Sequence, residues 1–125
     1  MNTIRRITTG ALTLALSLAL TAAPLAALAH VFPQKQEPGA GTTVEAPAKV
    51  TITFDGPLEP AFSSLTVTNA SGTQVNTAKS GIDAHQPNVE SVALPALPAG
   101  KYIVHWVAVA PDGHRTHGDY AFNVK

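Results

Sequence analysis

Apolar residues recur at every second position after residue 30, and this alternation limits the folds open to the chain. Val50, Ile52 and Phe54 alternate with threonines, and the same spacing returns at 65–67 and 120–124. A period of two places apolar side chains on one face of a β-strand, whereas a helix requires a period near 3.6. No segment after residue 30 carries a helical period with capping residues. This part of the chain is therefore predicted to be all-β.

The longest apolar run, KYIVHWVAVA at 101–110, has apolar residues on both of its faces. This pattern predicts a central strand that is covered on both sides. Turn-forming residues separate the strands at short intervals, as at 111–113 directly after this run. The polar stretch 76–90 is predicted to be a long exposed connection. Strands joined by turns, without helices, predict an antiparallel β-sandwich of immunoglobulin-like size.

The first 29 residues have the composition of a secretory signal peptide. Two arginines at 5–6 precede an uncharged apolar stretch at 10–23, and Pro24 interrupts it before the roughly 20 residues that a membrane-spanning helix needs. The small residues that signal peptidase prefers end at Ala29. General secretion fits this segment better than the twin-arginine route. Cleavage after Ala29 is expected, which would make His30 the first residue of an exported, periplasmic protein.

Residues 30–125 are predicted to form one domain, because 96 residues are too few for two independent cores. Without the two signal arginines, this part has six Lys and Arg against eight Asp and Glu, a formal charge of −2. It lacks the basic patch of nucleic-acid-binding proteins and the cationic amphipathic segment of membrane-associated ones. No nucleic-acid partner and no membrane insertion after cleavage are therefore expected. Because cysteine is absent, any metal site must use nitrogen and oxygen ligands.

The residues best suited to metal binding lie in VAPDGHRTHGDYAF at 109–122. Asp112 and His114 stand two residues apart in a predicted turn, and the last strand is predicted to begin near Gly118. Turns favour Asp and Gly for backbone reasons, so this pair alone is a weak metal signal. A mature N-terminal His30 strengthens it, because its α-amine and imidazole can bind one ion together with His114 and Asp112. His30, Asp112 and His114 are therefore the candidate ligands.

The predicted ligand set also selects the metal. Three nitrogens and one oxygen in a tetragonal arrangement favour Cu(II), which leads the affinity order of divalent metals. Cu(I) prefers thiolate or thioether ligands, yet the chain has no cysteine and its one methionine, Met1, belongs to the signal. The sequence thus predicts Cu(II) and excludes a Cu(I) site built from methionines.

Several further segments accompany His30 and the Asp-x-His turn. They are PxxGTTVxxP at 38–47, VTITF at 50–54, LPAGxYxVxW at 97–106 and DGHRTHGDYAFNV from Asp112. Together they resemble the CopC family of periplasmic copper-binding and copper-resistance proteins, over essentially all of 30–125. The resemblance implies a Greek-key β-sandwich or barrel of about seven strands, and one Cu(II) site with ligands His30, Asp112 and His114. It also implies an inner-membrane copper transporter of the CopD type as a partner.

The chain departs from the family pattern in three places. Some members have an acidic residue two positions after the early-strand phenylalanine, but here that position is Gly56, with Asp55 beside it and Glu59 beyond. A fourth side-chain ligand is therefore left open. The methionine-rich segment that some members use for Cu(I) is missing. His117 is an additional histidine three residues after His114; it is interpreted as a solvated strand residue, with an approach to the metal as the alternative.

The other histidines are interpreted as non-ligands. His85 lies in the polar connection and is expected to be exposed, and His105 is expected to be a strand residue on a partly covered face. Trp106 and Tyr102 are predicted to be core residues, since an aromatic pair at strand spacing is usually packing.

Three functions stay open. The first is a periplasmic Cu(II)-binding protein of copper resistance, homeostasis or delivery, which is not an enzyme. The second is a histidine-brace copper oxidase or monooxygenase, although such domains are much longer than 96 residues. The third is an immunoglobulin-like adhesion module without metal. No serine lies in the sequence context of a hydrolase nucleophile.

Overall fold

A computed structural model describes residues 30–125, and the predicted signal peptide, residues 1–29, lies outside the described residues. The described part consists of eight strands with their connections. These are β1 (Pro33–Glu37), β2 (Thr43–Val44), β3 (Lys49–Phe54), β4 (Ser64–Asn69), β5 (Gly81–Ile82), β6 (Val89–Ala93), β7 (Gly100–Val109) and β8 (Arg115–Val124). Between residues 30 and 125, no helix is long and apolar enough to span a membrane.

The strands form two four-stranded sheets. One has the order β1-β3-β6-β5 and the other the order β2-β8-β7-β4. All pairs are antiparallel except β2 with β8, which are parallel. The chain crosses between the two sheets five times, after β1, β2, β3, β4 and β6. The predicted all-β sandwich is confirmed, with eight strands instead of about seven and with one parallel pair.

The core lies between the two sheets, where alternate strand residues point inward. The alternating apolar residues of β3 are fully buried, and the predicted core residues Tyr102 and Trp106 are 3% and 8% exposed. The Trp106 ring meets Phe54 edge-on with centroids 5.7 Å apart. It also covers Gly118, where a β-carbon would lie 2.7 Å from the indole. A side chain at Gly118 would therefore displace the indole from the core.

Two predictions about the last strands are wrong. β7 is an inner strand between β8 and β4, but its outward residues Ile103, His105 and Val107 are only partly buried. The strand thus contributes one face to the core, not two. β8 begins at Arg115 and not near Gly118, so the turn that precedes it is shorter than expected.

The polar stretch 76–90 is exposed over most of its length, as expected, but it is not a single connection, because it contains β5 and the start of β6. Asn76 and Glu90 within it are 5% and 1% exposed. Glu90 Oε1 accepts a hydrogen bond from Ser80 Oγ at 3.0 Å, while Oε2 has no partner among residues 30–125. Burial raises the pKa of Glu90 to about 7. The stretch therefore adds polar side chains to the interior of the sandwich.

Candidate metal site

The connection between β7 and β8 is a tight turn that presents Asp112 and His114 at one end of the sandwich. Ala110 donates its N–H to the His114 carbonyl at 2.9 Å, and Gly113 donates to the Ala110 carbonyl at 2.8 Å. Gly113 has a φ of 91°, a left-handed conformation that glycine adopts without steric cost. Residues 111–115 are all exposed. The turn therefore closes the hairpin and leaves its polar side chains accessible.

Asp112 and His114 contact each other through the backbone and through the ring. The His114 N–H donates to Asp112 Oδ1 at 3.0 Å, and His114 Nδ1 lies 2.9 Å from Asp112 Oδ2. The hydrogen bond from the His114 backbone, followed by the one from its side chain, lowers the pKa of Asp112 below its ordinary value. Asp112 is therefore an ionised carboxylate at neutral pH.

His30 reaches this turn from the opposite sheet, since it stands just before β1 at the edge of the β1-β3-β6-β5 sheet. Its exposed ring lies 5.2 Å from the His114 ring, centroid to centroid, with the two planes inclined by 32°. The centroid of the Phe32 ring lies 6.4 Å from that of the His30 ring. Two imidazoles from distant parts of the chain thus become neighbours at the end of the sandwich.

A cleft of about 450 Å³ opens beside these residues. His30 and Asp112 lie on its walls together with Asp55, Gly56 and Pro57, which follow β3. The cleft therefore connects the predicted ligands to the segment where the sequence left a further ligand open.

The predicted ligands are gathered at one end of the molecule, but they do not form a complete cage. Within residues 30–125, no three His, Asp or Glu side chains are grouped closely enough to hold a metal ion. In the full-length sequence the His30 backbone nitrogen is a peptide amide. The α-amine of the predicted chelate would exist only after cleavage behind Ala29, so the ligand assignment stays a prediction.

The three residues that the sequence left open as further ligands, Asp55, Glu59 and His117, lie in different surroundings. Asp55 lines the cleft, but its Oδ1 accepts a hydrogen bond from the Phe32 N–H at 2.8 Å. Glu59 is partly buried in the connection between β3 and β4. His117 is exposed on the outer side of β8, because its neighbour Thr116 points inward. The interpretation of His117 as a solvated strand residue agrees with this position.

The two remaining histidines also lie where they were expected. His85 is exposed, and its N–H donates to Asp83 at 2.7 Å. His105 lies on the partly covered face of β7, with Nδ1 2.6 Å from Asp119 Oδ1 and Nε2 2.9 Å from Thr68 Oγ1. Both of its ring nitrogens are thus engaged by neighbouring strands.

The residues that hold His30 in place are not apparent from the sequence. Val31 is 5% exposed, and its carbonyl accepts a hydrogen bond from Thr116 Oγ1 at 2.5 Å. A β-carbon at Gly56 would lie 2.7 Å from Val31 Cγ1. The sequence offers one sign that this segment is anchored, namely the apolar Val31 directly after His30. An apolar residue predicts burial, but it does not identify the distant residues that Val31 packs against.

The chain is similar in sequence and structure to proteins of one known family. A model of the CopC domain matches residues 34–125. The chain belongs to the CopC family. The predicted resemblance is thereby confirmed, although His30 lies just before the matched segment.

Three CopC-family relatives show how far the similarity extends. Copper transport protein CutJ of Bacillus subtilis is 34% identical over 103 residues, which cover 81% of this chain and 19% of CutJ. The crystal structure of CopC from Methylosinus trichosporium OB3b has a TM-score of 0.72 and 32% identity, covering 77% of this chain and 94% of that one. PcoC, a methionine-rich copper resistance protein from Escherichia coli, has a TM-score of 0.70 and 34% identity, covering 78% and 100%. The chain thus spans nearly all of the two solved domains but about a fifth of CutJ.

Proposed function

We propose that this CopC-family chain is a periplasmic Cu(II)-binding protein of copper resistance, homeostasis or delivery. The observation that carries the proposal is the contact of Asp112 Oδ2 with His114 Nδ1 at 2.9 Å, next to the ring of His30. Removal of residues 1–29 would add the His30 α-amine at the same place. The names of the relatives, a copper transport protein and a copper resistance protein, support copper as the ion. A metal-free adhesion module has no comparable support.

The spacing of Asp112 and His114 suits two adjacent positions of one coordination plane. Two ligand atoms about 2.0 Å from an ion, at right angles to each other, lie about 2.8 Å apart. The observed separation of 2.9 Å is close to this value. A cation that replaces a proton between the two groups can therefore bind both atoms at nearly the same separation, once the two groups turn toward it. The imidazole and α-amine of His30 would complete a set of three nitrogens and one oxygen, which favours Cu(II).

The same ligand set disfavours Cu(I). PcoC is described as methionine-rich, whereas the one methionine of this chain is Met1. Nitrogen and carboxylate ligands suit the harder Cu(II) ion better than Cu(I). The proposed protein therefore carries copper in one oxidation state.

The proposed partner is an inner-membrane copper transporter of the CopD type. CutJ supports this choice, because the matched region forms 19% of a protein that is named a copper transport protein. The exposure of residues 111–115 supports exchange of the ion, since an approaching protein can reach the turn from solvent.

Titration of the exported protein with Cu(II) tests the proposal. Its intact mass first establishes whether the chain begins at His30. With that N-terminus, one equivalent of Cu(II) is expected to bind tightly and to give the visible and paramagnetic spectra of a tetragonal nitrogen and oxygen site, while Cu(I) binds poorly. Weak Cu(II) binding by a chain that begins at His30 would reject the proposal, and so would competitor-resistant binding of Cu(I).

The protein is further proposed to have no enzymatic activity of its own. A histidine-brace oxidase would consume oxygen when its copper form is supplied with ascorbate. We expect the copper-loaded protein to consume oxygen more slowly than the same amount of free copper, because the bound ion is withheld from solution. Faster consumption, or cleavage of a polysaccharide, would favour the enzyme instead.

A further inference from the structure

The segment His30–Phe32, here named the strap, is fixed to both sheets of the sandwich. Residues that only led into β1 would keep their backbone freedom, and ordering them when an ion binds would cost conformational entropy. The strap instead makes contacts with the segment after β3 and with the start of β8. These contacts decide where His30 lies relative to the turn at Asp112.

The first contact is a pair of hydrogen bonds between Phe32 and Asp55. Phe32 donates its N–H to Asp55 Oδ1 at 2.8 Å, and Asp55 donates its own N–H to the Phe32 carbonyl at 2.9 Å. The carboxylate that lines the cleft is thus used to bind the strap. Asp55 directly follows β3, so this contact fixes the strap to the β1-β3-β6-β5 sheet.

The second contact is the burial of Val31. Its carbonyl accepts the hydrogen bond from Thr116 Oγ1 at 2.5 Å, and Thr116 lies in β8 two residues after His114. On the opposite side, Gly56 gives Val31 its space, since a β-carbon there would lie 2.7 Å from Val31 Cγ1. Val31 is therefore held between the segment after β3 and the strand that follows the metal-binding turn.

We infer that Asp55 is a positioning residue for copper: it binds the strap, together with Thr116 and Gly56, and so presents His30 to Asp112 and His114. The inference rests on the proposed Cu(II) site. It assigns Asp55 to the strap, since its Oδ1 accepts the Phe32 N–H. Ligation through Oδ2 is the alternative that variants at residue 55 test. Because the strap is already ordered in the metal-free protein, it loses less conformational entropy when copper binds. This is the general gain in affinity from a preorganised site.

Two substitutions at residue 55 separate positioning from ligation. Asp55→Asn keeps an oxygen that can accept the Phe32 N–H, whereas Asp55→Ala removes it. In protein that begins at His30, Asp55→Ala is expected to weaken Cu(II) affinity about 10–100-fold, as residues behind metal ligands typically do, and Asp55→Asn is expected to restore most of that affinity. If Asp55→Asn is as weak as Asp55→Ala and the paramagnetic spectrum changes equally in both, Asp55 is a ligand and the inference is wrong.

Thr116→Val tests the other anchor, because it removes the hydroxyl and keeps the shape of the side chain. Its Cu(II) affinity is expected to fall in the same way as that of Asp55→Ala. Thr51→Val is the matched control, since Thr51 also loses a hydroxyl hydrogen bond, to Ser91 Oγ at 2.9 Å, but lies on β3 away from the strap. Thr51→Val should leave copper affinity unchanged. An equal loss in both variants would show a general effect on stability and would overturn the inference.

Amide hydrogen exchange of Phe32 in the metal-free protein provides a measurement that does not depend on copper. Asp55→Ala is expected to accelerate this exchange at least about tenfold, because the Phe32 N–H loses its acceptor, while Asp55→Asn should not. Unchanged exchange in Asp55→Ala would overturn the inference whether or not copper binds. Weak Cu(II) binding by the unaltered protein, with the exchange result as expected, would instead reject the proposed function and with it the copper role of the strap.

Discussion

Two histidines of this chain each face an aspartate, and the two pairs are alike in most measurable respects. His114 Nδ1 lies 2.9 Å from Asp112 Oδ2, and His105 Nδ1 lies 2.6 Å from Asp119 Oδ1. The exposed fractions of the two histidine side chains are 47% and 40%. The contact distance and the exposure therefore do not show which of the two pairs is suited to bind a metal ion.

The surroundings of each ring make the difference. Thr68 Oγ1 lies 2.9 Å from His105 Nε2, so β4, β7 and β8 hold that ring from both sides. His114 stands in an exposed turn, and its neighbour is the ring of His30. Polar side chains within the strands thus stabilise the sheets, while those of the turn stay available to a ligand. Changes in the two regions should affect different properties of the protein.

The largest effect is expected from changing His30, the proposed N-terminal residue after cleavage of the signal peptide. One extra residue ahead of His30 removes the α-amine and keeps every side chain, whereas His30→Ala keeps an amine and removes the ring. Each change is expected to weaken Cu(II) affinity at least about 100-fold, because losing a direct ligand should exceed the ~10–100-fold effect of residues behind the ligands. Competition with a chelator of known affinity measures the loss.

These variants also test whether the effect is confined to the site. His30 is exposed, so the melting temperature of the metal-free protein should stay unchanged. If the extended protein binds Cu(II) as tightly as the chain that begins at His30, the N-terminal chelate is wrong and the turn must bind copper alone.

The next effect compares the two pairs directly. Asp112→Ala and His114→Ala each remove one proposed ligand, so they are expected to weaken Cu(II) affinity by about 100-fold or more, above the ~10–100-fold effect of residues behind the ligands. Asp119→Ala and His105→Ala should leave it unchanged, because the contacts of these side chains are with each other and with Thr68 on strands β4, β7 and β8. The same competition titration measures all four affinities. If the strand variants lose affinity as much as the turn variants do, the strand pair also takes part in copper binding and the distinction is wrong.

The fold was predictable because a period of two is a property of the extended backbone. Residues 50–54 and 120–124 form strands with their apolar sides inward, as the alternation predicts. The outer face of β7 was mispredicted because Val and Ile also favour strands on half-exposed faces. Glu90 was missed for a related reason: its burial depends on Ser80 and on the packing of the sheets, and not on its neighbours in sequence.

Only the part of the candidate site that lies within one turn of the chain was predictable from the sequence. Asp112 and His114 are two residues apart in one turn, so their contact follows from turn geometry. The contacts of the strap join Val31 to Thr116 and Phe32 to Asp55. Pairs so far apart in sequence follow no spacing rule, and they become visible only in the folded chain.

A smaller effect, on stability alone, is expected at Glu90. Burial raises the pKa of this carboxyl from 4.5 to about 7, so the folded chain binds the proton more tightly than the unfolded chain. The stability that this group contributes is full below pH 4.5 and is lost as the pH rises through about 7. Glu90→Gln stays neutral and keeps an acceptor for Ser80. It is expected to raise the unfolding free energy at pH 8 by on the order of 1–2 kcal/mol.

Urea unfolding at pH 5 and pH 8 measures this prediction. The gain from Glu90→Gln should be larger at the higher pH, and Cu(II) affinity should be the same as in the unaltered protein. A gain that is equal at both pH values would show that the Glu90 carboxyl does not titrate in this range.

The smallest effect is expected from matched Asp→Asn changes in the two pairs. Asp119→Asn should lower the unfolding free energy of the metal-free protein by about 0.2–1 kcal/mol, because its contact with His105 is largely exposed and such pairs contribute little. Asp112→Asn should lower that free energy by a similarly small amount, because its contact with His114 is also exposed. It should in addition reduce the extra stability that Cu(II) gives, which depends on affinity through ligand binding to the folded state. Urea unfolding with and without one equivalent of Cu(II) measures both. If Asp119→Asn reduces the copper-dependent stability as much as Asp112→Asn does, the strand pair takes part in binding and the distinction between the two regions is lost.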